Sequence, residues 1–317
     1  MPTTEPPVAL DSRVPSMLDL VRLSRRPLFP PGGEELYRQI ALLTGLKEGM
    51  EVLDVGCGRG VPLEYFVREH GVMGSGIDVD PRMISMSEAR ARASGLAGRM
   101  QFQSGTADRL PYRDGIFDLT VGELALAAHC DPAAAVGELV RVTKPGGFVV
   151  LVQLVWKAPV DAERRRVLSE HLGARPLMLV EWKRILREAG VAEVHTEDWS
   201  DDETAFRPRV AKPFPDFAEI FTLSEKLGIL RRAWSRWGLR GVRAVLERER
   251  EVHRLLSHER ILGLDLLRGR RIPERAPSEP PVTPPEESRP ALVPEISGGE
   301  GGETAGLPLF GGAINLK

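Results

Sequence analysis

Three glycines and two carboxylates carry the first recognisable chemistry in this chain. Gly56, Gly58 and Gly60 stand at alternate positions, and Asp54 precedes the first of them by two. Glycine allows a sharp turn and leaves bare main chain for a ligand to lie against. The stretch before them, Glu51–Val55, is short and mostly apolar, as a parallel strand covered on both faces should be. Pro62, just after them, suits the first turn of a helix. Strand, glycine turn and helix in that order mark a nucleotide-like ligand at the carboxyl edge of an open α/β sheet. The spacing is G-x-G-x-G, whereas G-x-G-x-x-G is the pattern that seats a pyrophosphate on a helix N-terminus. A carboxylate at Asp54 would repel a diphosphate but suits a cationic ligand with an amino group. Taken alone, these residues also allow a purely structural glycine turn.

The second carboxylate is Asp78, 20 residues beyond Gly58 and at the end of a strand predicted over 72–79. An open α/β nucleotide site places an acid there to accept from both ribose hydroxyls. The competing role, capping the next helix, falls more naturally to Asp80, which stands before Pro81.

VLDVGCGRG at 52–60 closely resembles motif I of the Rossmann-like S-adenosylmethionine-dependent methyltransferases. The likeness is to the ubiquinone/menaquinone-type small-molecule group. GTADRLPYRDGIFDLTVG at 105–122 resembles the segment in which that family sets a small residue and an acid, here Ala107 and Asp108, against the adenine edge. RVTKPGG at 141–147, with the apolar run after it, resembles the family's later helix-to-strand signature. The resemblance implies S-adenosylmethionine as cofactor and no metal. It implies a cofactor site of Asp54, Gly56, Cys57, Gly58, Gly60, Asp78, Val79, Ala107 and Asp108. Glu123 completes that cofactor site, near the methionine end. Cys57 also has a plain reading, a small residue packed inside the loop.

In this family the methyl group passes to its acceptor by in-line displacement, so alignment supplies much of the catalysis. The residues after the fourth strand read Gly122-Glu123-Leu124. The Asn/Asp-Pro-Pro-aromatic motif of base-amine methylation is absent from that place, and the aromatic-rich signature of sterol enzymes is absent from the amino terminus. The implied partner is a small-molecule or lipid-like acceptor. His129 is the only histidine near the acceptor side, a candidate base that titrates near neutrality or else a structural loop residue. Two other readings stand beside the methyltransferase: a non-catalytic S-adenosylmethionine-binding protein, and a NAD-type oxidoreductase, which the glycine spacing disfavours.

Around these residues the chain of 317 has enough length and apolar content, 42%, for one core and an appendage. A net charge of -2 gives no reason to expect nucleic acid. The 2 cysteines, Cys57 and Cys130, form neither a disulfide framework nor a metal spacing. No leader-like or membrane-spanning run appears, so the expected location is cytoplasmic.

The predicted fold is α/β: a doubly wound, mostly parallel seven-stranded sheet with helices on both faces. A helical insertion precedes the last, antiparallel strand. The expected parts are an amino-terminal helical segment (1–45), with helices over 16–26 and 34–43, and a binding core (46–215). An inserted helical lid (216–260), a last core strand (261–272) and a disordered tail (273–317) follow. Further helices are expected over 176–190, 217–227 and 230–257, and the fifth strand from 148. The stretch 230–257 is arginine-rich with Trp234 and Trp237, which makes peripheral membrane contact the alternative to a lid.

Overall fold

The computed structural model describes residues 33–124, 126, 130–199, 223–254, 259 and 261–273, together with 15, 16 and 19. The described residues fall within one compact unit, Met1–Glu274. The tail beyond 273, most of the helix expected over 16–26 and His129 lie outside the described residues.

The first described helix, α1 (Gly33–Thr44), buries Leu36, Tyr37, Ile40, Ala41 and Thr44, one stripe at helical spacing. Then β1 (Glu51–Val55), α2 (Val61–His70), β2 (Met73–Asp78), α3 (Pro81–Ala93) and β3 (Met100–Ser104) alternate without a break. Asp80 caps α3 by accepting from the Arg82 N–H at 3.0 Å, and Asp131 caps α4 (Pro132–Val142) through the N–H groups of Ala133 and Ala134. In both helices proline follows the cap, where its missing N–H costs nothing. After β3 come β4 (Phe117–Glu123), α4 and β5 (Thr143–Trp156). Next are α5 (Ala162–Leu172), β6 (Leu177–Met178), α6 (Leu179–Glu188) and β7 (Val191–Asp198). The described chain closes with α7 (Leu223–His253) and β8 (Leu262–Arg271).

The sheet order is β3-β2-β1-β4-β5-β8-β7, with β6 on β5. Pairings among β1 to β5 are parallel, while β8 runs antiparallel to both β5 and β7. Successive residues of β5 go to opposite cores: Val150 and Val152 to one, Val149 and Leu151 to the other. The first core takes α1 and α2, the second α4 and α6, so both faces are covered as an open parallel sheet requires.

Four local expectations change. The fifth strand begins at Thr143, with a register shift opposite Phe117 and Leu119. Gly147 permits it, since a Cβ there would lie 2.9 Å from the Asp118 carbonyl. The helix expected over 176–190 is shorter, because Leu177 and Met178 pair with Val155 and Trp156 and Glu181 accepts from the Met178 N–H at 2.7 Å. This pairing is why the sheet has an eighth strand. The helix α5 was not foreseen; it buries only Leu168 and Leu172, too few to show a period. Finally, the helical insertion breaks at Gly238 (φ 61, ψ -150), and Gly228 lies within the helix. Of the expected 217–227 and 230–257, residues 217–222 and 255–258 lie outside the described residues. Past the break, Gly241 comes so close that a Cβ there would lie 2.7 Å from the Ala233 carbonyl.

Candidate cofactor site

The order of strands reverses between β1 and β4, where open α/β sheets bind their ligands. Asp54, one residue before the end of β1, is 0% exposed, and neither carboxylate oxygen meets a donor among the described residues. Burying an unpartnered carboxylate is costly, so it takes a proton instead. Burial first, and then the neighbouring Asp78, push its pKa up to about 8. The glycine loop follows at once. The N–H groups of Gly56 and Cys57 both donate to the Ile77 carbonyl, at 2.8 and 2.9 Å, and bend the chain over the end of β2. A Cβ on Gly58 would meet nothing within 4 Å, so bare backbone faces open space. Gly60, at φ 70, starts α2 in a left-handed conformation, and a Cβ there would strike the Phe102 ring at 2.8 Å.

Asp78 is 6% exposed and fixes this loop. One oxygen accepts from the Gly58 N–H at 2.9 Å and the other from the Asp80 N–H at 2.8 Å. Each carboxylate oxygen can accept more than one bond, so two bonds leave room for hydroxyl donors. From α3, Ser87 donates to the Gly58 carbonyl at 2.8 Å. Cys57 is 4% exposed, with its sulfur 2.9 Å from where a Gly76 Cβ would stand. Its side chain is therefore packing, and only its backbone borders the loop. Gly76→Ala would push a methyl group to 2.4 Å from Phe102 and to 2.9 Å from Cys57. Overpacking of that kind costs about 1–3 kcal/mol. Thermal melts should show the loss with or without ligand.

Beside the loop lies a cleft of about 430 Å³, part of it open to solvent. Gly56, Asp78, Val79 and Ala107 line it, together with Thr106, Leu126 and Cys130, which sequence reasoning had not singled out. The Cys130 thiol donates to the Leu126 carbonyl at 3.1 Å and faces the Asp108 main chain. Asp108 itself is exposed at the rim. Arg141 of α4 anchors the following loop: it donates to the Tyr112 carbonyl at 2.8 Å and to the Glu138 carboxylate at 2.6 Å. Glu138 in turn accepts from the Leu110 N–H at 2.7 Å.

Glu123 ends β4 beside Asp54, and the Tyr37 hydroxyl of α1 lies against its carboxylate. Burial and Asp54 hold the Glu123 pKa well above the usual carboxylate range, while Tyr37 pulls it down. Tyr37 is 0% exposed, held by Tyr65 and Phe66 rings centred 5.7 Å away. His195, by contrast, is on β7, 3.1 Å from Glu197. On the outer side, burial lowers the Arg59 pKa, and the like charges of Arg232 on α7 and of Arg90 lower it further.

These residues fit S-adenosylmethionine. The orphaned Asp54 calls for a cation, the open backbone over Gly58 for a close-lying group, and Asp78 can still accept from hydroxyls. The sign of the Asp54 effect gives a test. Its folded pKa lies above the unfolded value of about 3.9, so this group's contribution to stability is full below pH 4 and is lost as pH rises through about 8. A cation seated beside it reverses the shift and expels the proton. Calorimetric titration with S-adenosylhomocysteine at pH 7, in two buffers of different ionisation enthalpy, should therefore reveal proton release. Asp54→Asn should abolish it. Equal heats in both buffers for the native chain would rule the arrangement out.

Comparison with known proteins agrees with this geometry. Residues 53–151 match the family described as "Methyltransferase domain". Norajmaline N-methyltransferase of Rauvolfia serpentina is 25% identical over 52% of this chain and 60% of its own length. The 27-O-demethylrifamycin SV methyltransferase of Amycolatopsis mediterranei is 29% identical over 58% of this chain and 69% of its own. The crystal structure of the [4+2]-cyclase SpnF superimposes with a TM-score of 0.59 at 25% identity, covering 76% of this chain and 82% of that one. The chain thus spans between three fifths and about two thirds of the two sequence relatives. With motif, sheet order and cleft in agreement, residues 53–151 are a methyltransferase domain of the Rossmann-like class, and its cofactor is S-adenosylmethionine.

Proposed function

We propose that the chain transfers a methyl group from S-adenosylmethionine to a small-molecule or lipid-like acceptor. The observation that carries this reading is the buried Asp54, without a donor among the described residues, under an open glycine loop, a pocket for a cation and not for a diphosphate. When bound, the cofactor supplies an electrophilic methyl group on a sulfonium. Asp54 balances the charge of its amino-acid end, and Asp78 both holds the loop and accepts from the ribose. Val79, Ala107 and Asp108 border the base, the first two from the cleft wall. Glu123, beside Asp54 and against Tyr37, is the general base for an acceptor that loses a proton as it attacks, and α7 covers that side as a lid.

The relatives support a small acceptor, since their names specify a norajmaline nitrogen and a 27-O-demethylrifamycin SV oxygen. A second reading rests on SpnF, which shares the fold and is named as a [4+2]-cyclase. The test incubates the full chain with S-adenosylmethionine and a panel of phenols, secondary amines and prenylated quinols. Acceptor-dependent formation of S-adenosylhomocysteine, read by mass spectrometry, is expected with at least one class. S-adenosylhomocysteine that raises the melting temperature, with no turnover on any class, would favour the non-catalytic reading. At 100 times its dissociation constant, linkage stabilises the fold by about 2.7 kcal/mol. NAD should produce no such shift.

A further inference from the structure

We propose that the outward face of α7 docks on an anionic lipid surface. The helix has both buried and exposed apolar residues. Ile229, Ala233, Trp237 and Ala244 are buried against the rest of the chain. Solvent reaches Leu227 at 67% and Trp234 at 55% before the break at Gly238, and Leu239 at 67% and Leu246 at 44% after it. Among them stand exposed Arg231, Arg240, Arg243 and Arg250, with Glu247 as an acidic neighbour. Over 223–254 the sequence carries nine lysines and arginines against four glutamates, within a chain whose net charge is -2. Positive charge is thus concentrated where large apolar side chains face solvent.

That combination matches the physics of the membrane interface. Leucine and tryptophan gain by entering the boundary between headgroups and acyl chains, while guanidinium groups stay at the level of lipid phosphates. Purely polar polyanions would satisfy the arginines but leave Leu227, Trp234 and Leu239 in water. No helix among the described residues is long and apolar enough to cross a bilayer, so the contact is peripheral. Arg232 of the same helix is within electrostatic range of Arg59 in the glycine loop, so docking would bring the cofactor cleft close to the lipid surface.

The chain contains its own reporter. Of its 5 tryptophans, Trp156, Trp182, Trp199 and Trp237 are each 5% exposed or less, and Trp234 alone faces solvent. The experiment mixes the full chain, at low salt, with vesicles of phosphatidylcholine alone or with added phosphatidylglycerol. Co-sedimentation and a blue shift of tryptophan emission are expected with the anionic vesicles only, both weakening as salt is added. Trp234→Phe should still co-sediment but lose the shift. Each arginine at an anionic surface contributes about fivefold, so Arg240→Gln with Arg243→Gln should lower partitioning about 25-fold. Melting-temperature shifts with S-adenosylhomocysteine should stay unchanged in that variant, which separates this proposal from the cofactor assignment. Absence of binding to anionic vesicles overturns it. So does binding that neither shifts the emission nor depends on the two arginines, and so does the same signature with heparin but not with vesicles.

Discussion

Replacing Glu123 by glutamine should lower turnover by about 100- to 10,000-fold while leaving cofactor affinity within a few-fold of native. The magnitude is that of a positioned general base. The shape of the pH profile separates this role from a structural one. A base acts in its deprotonated form, so the native rate should climb as pH passes through the Glu123 pKa, which burial and Asp54 hold well above the usual carboxylate range. Glu123→Gln should flatten that limb. Tyr37→Phe removes the hydroxyl that pulls the Glu123 pKa down, so its limb should move to higher pH. Rates of methyl transfer over a pH series for the three proteins decide the matter. A Glu123→Gln variant with native turnover would show that proton removal occurs elsewhere, with His129 the first alternative.

The second large effect concerns Asp78. Charge-assisted bonds from two ribose hydroxyls are worth about 1.5–3 kcal/mol each, and water recovers part of that when the carboxylate is gone. Asp78→Ala should therefore weaken S-adenosylhomocysteine binding by about 10- to 100-fold. The variant should also melt earlier, because the Gly58 and Asp80 N–H groups lose their acceptor. Asp80→Ala should cost about 1 kcal/mol of stability, as a lost helix cap, and barely change affinity. Calorimetric titration and thermal melts on both variants make the comparison. If Asp80 governed affinity and Asp78 only stability, the ribose would have to lie elsewhere.

Asp54, the glycines and Asp78 were legible in the sequence because strand, turn and helix are local. Their spacing is set within one β-α-β unit, and a strand end two residues from a glycine can point only one way. Tyr37 was not legible. Its hydroxyl meets Glu123 across α1, the sheet edge and β4, and the only local sign of α1 is an apolar stripe that any covering helix would show. Cys130 and Leu126 reach the cleft through the turn after β4, which no periodicity describes. The break in α7 is a different failure. Gly228 and Gly238 carry the same helix penalty, so propensity cannot choose between them. The break at the second lets Gly241 pass close to the Ala233 carbonyl, a contact between turns that propensity does not record.

The position of β8 bears on how the chain is made. In the described sheet β7 has one ladder partner, β8, and β8 also completes the ladder beside β5. Roughly sixty residues separate β7 from that partner in the chain. At about 5–20 residues per second, the ribosome leaves β7 waiting for roughly 3–12 seconds. During that interval β5 and β7 present unpaired edges, which are templates for pairing with another copy. A nascent chain released before residue 271 would retain them permanently. The last described strand to leave the ribosome is therefore the one that removes the hazard, and chains stalled within α7 should partition to chaperones or aggregates.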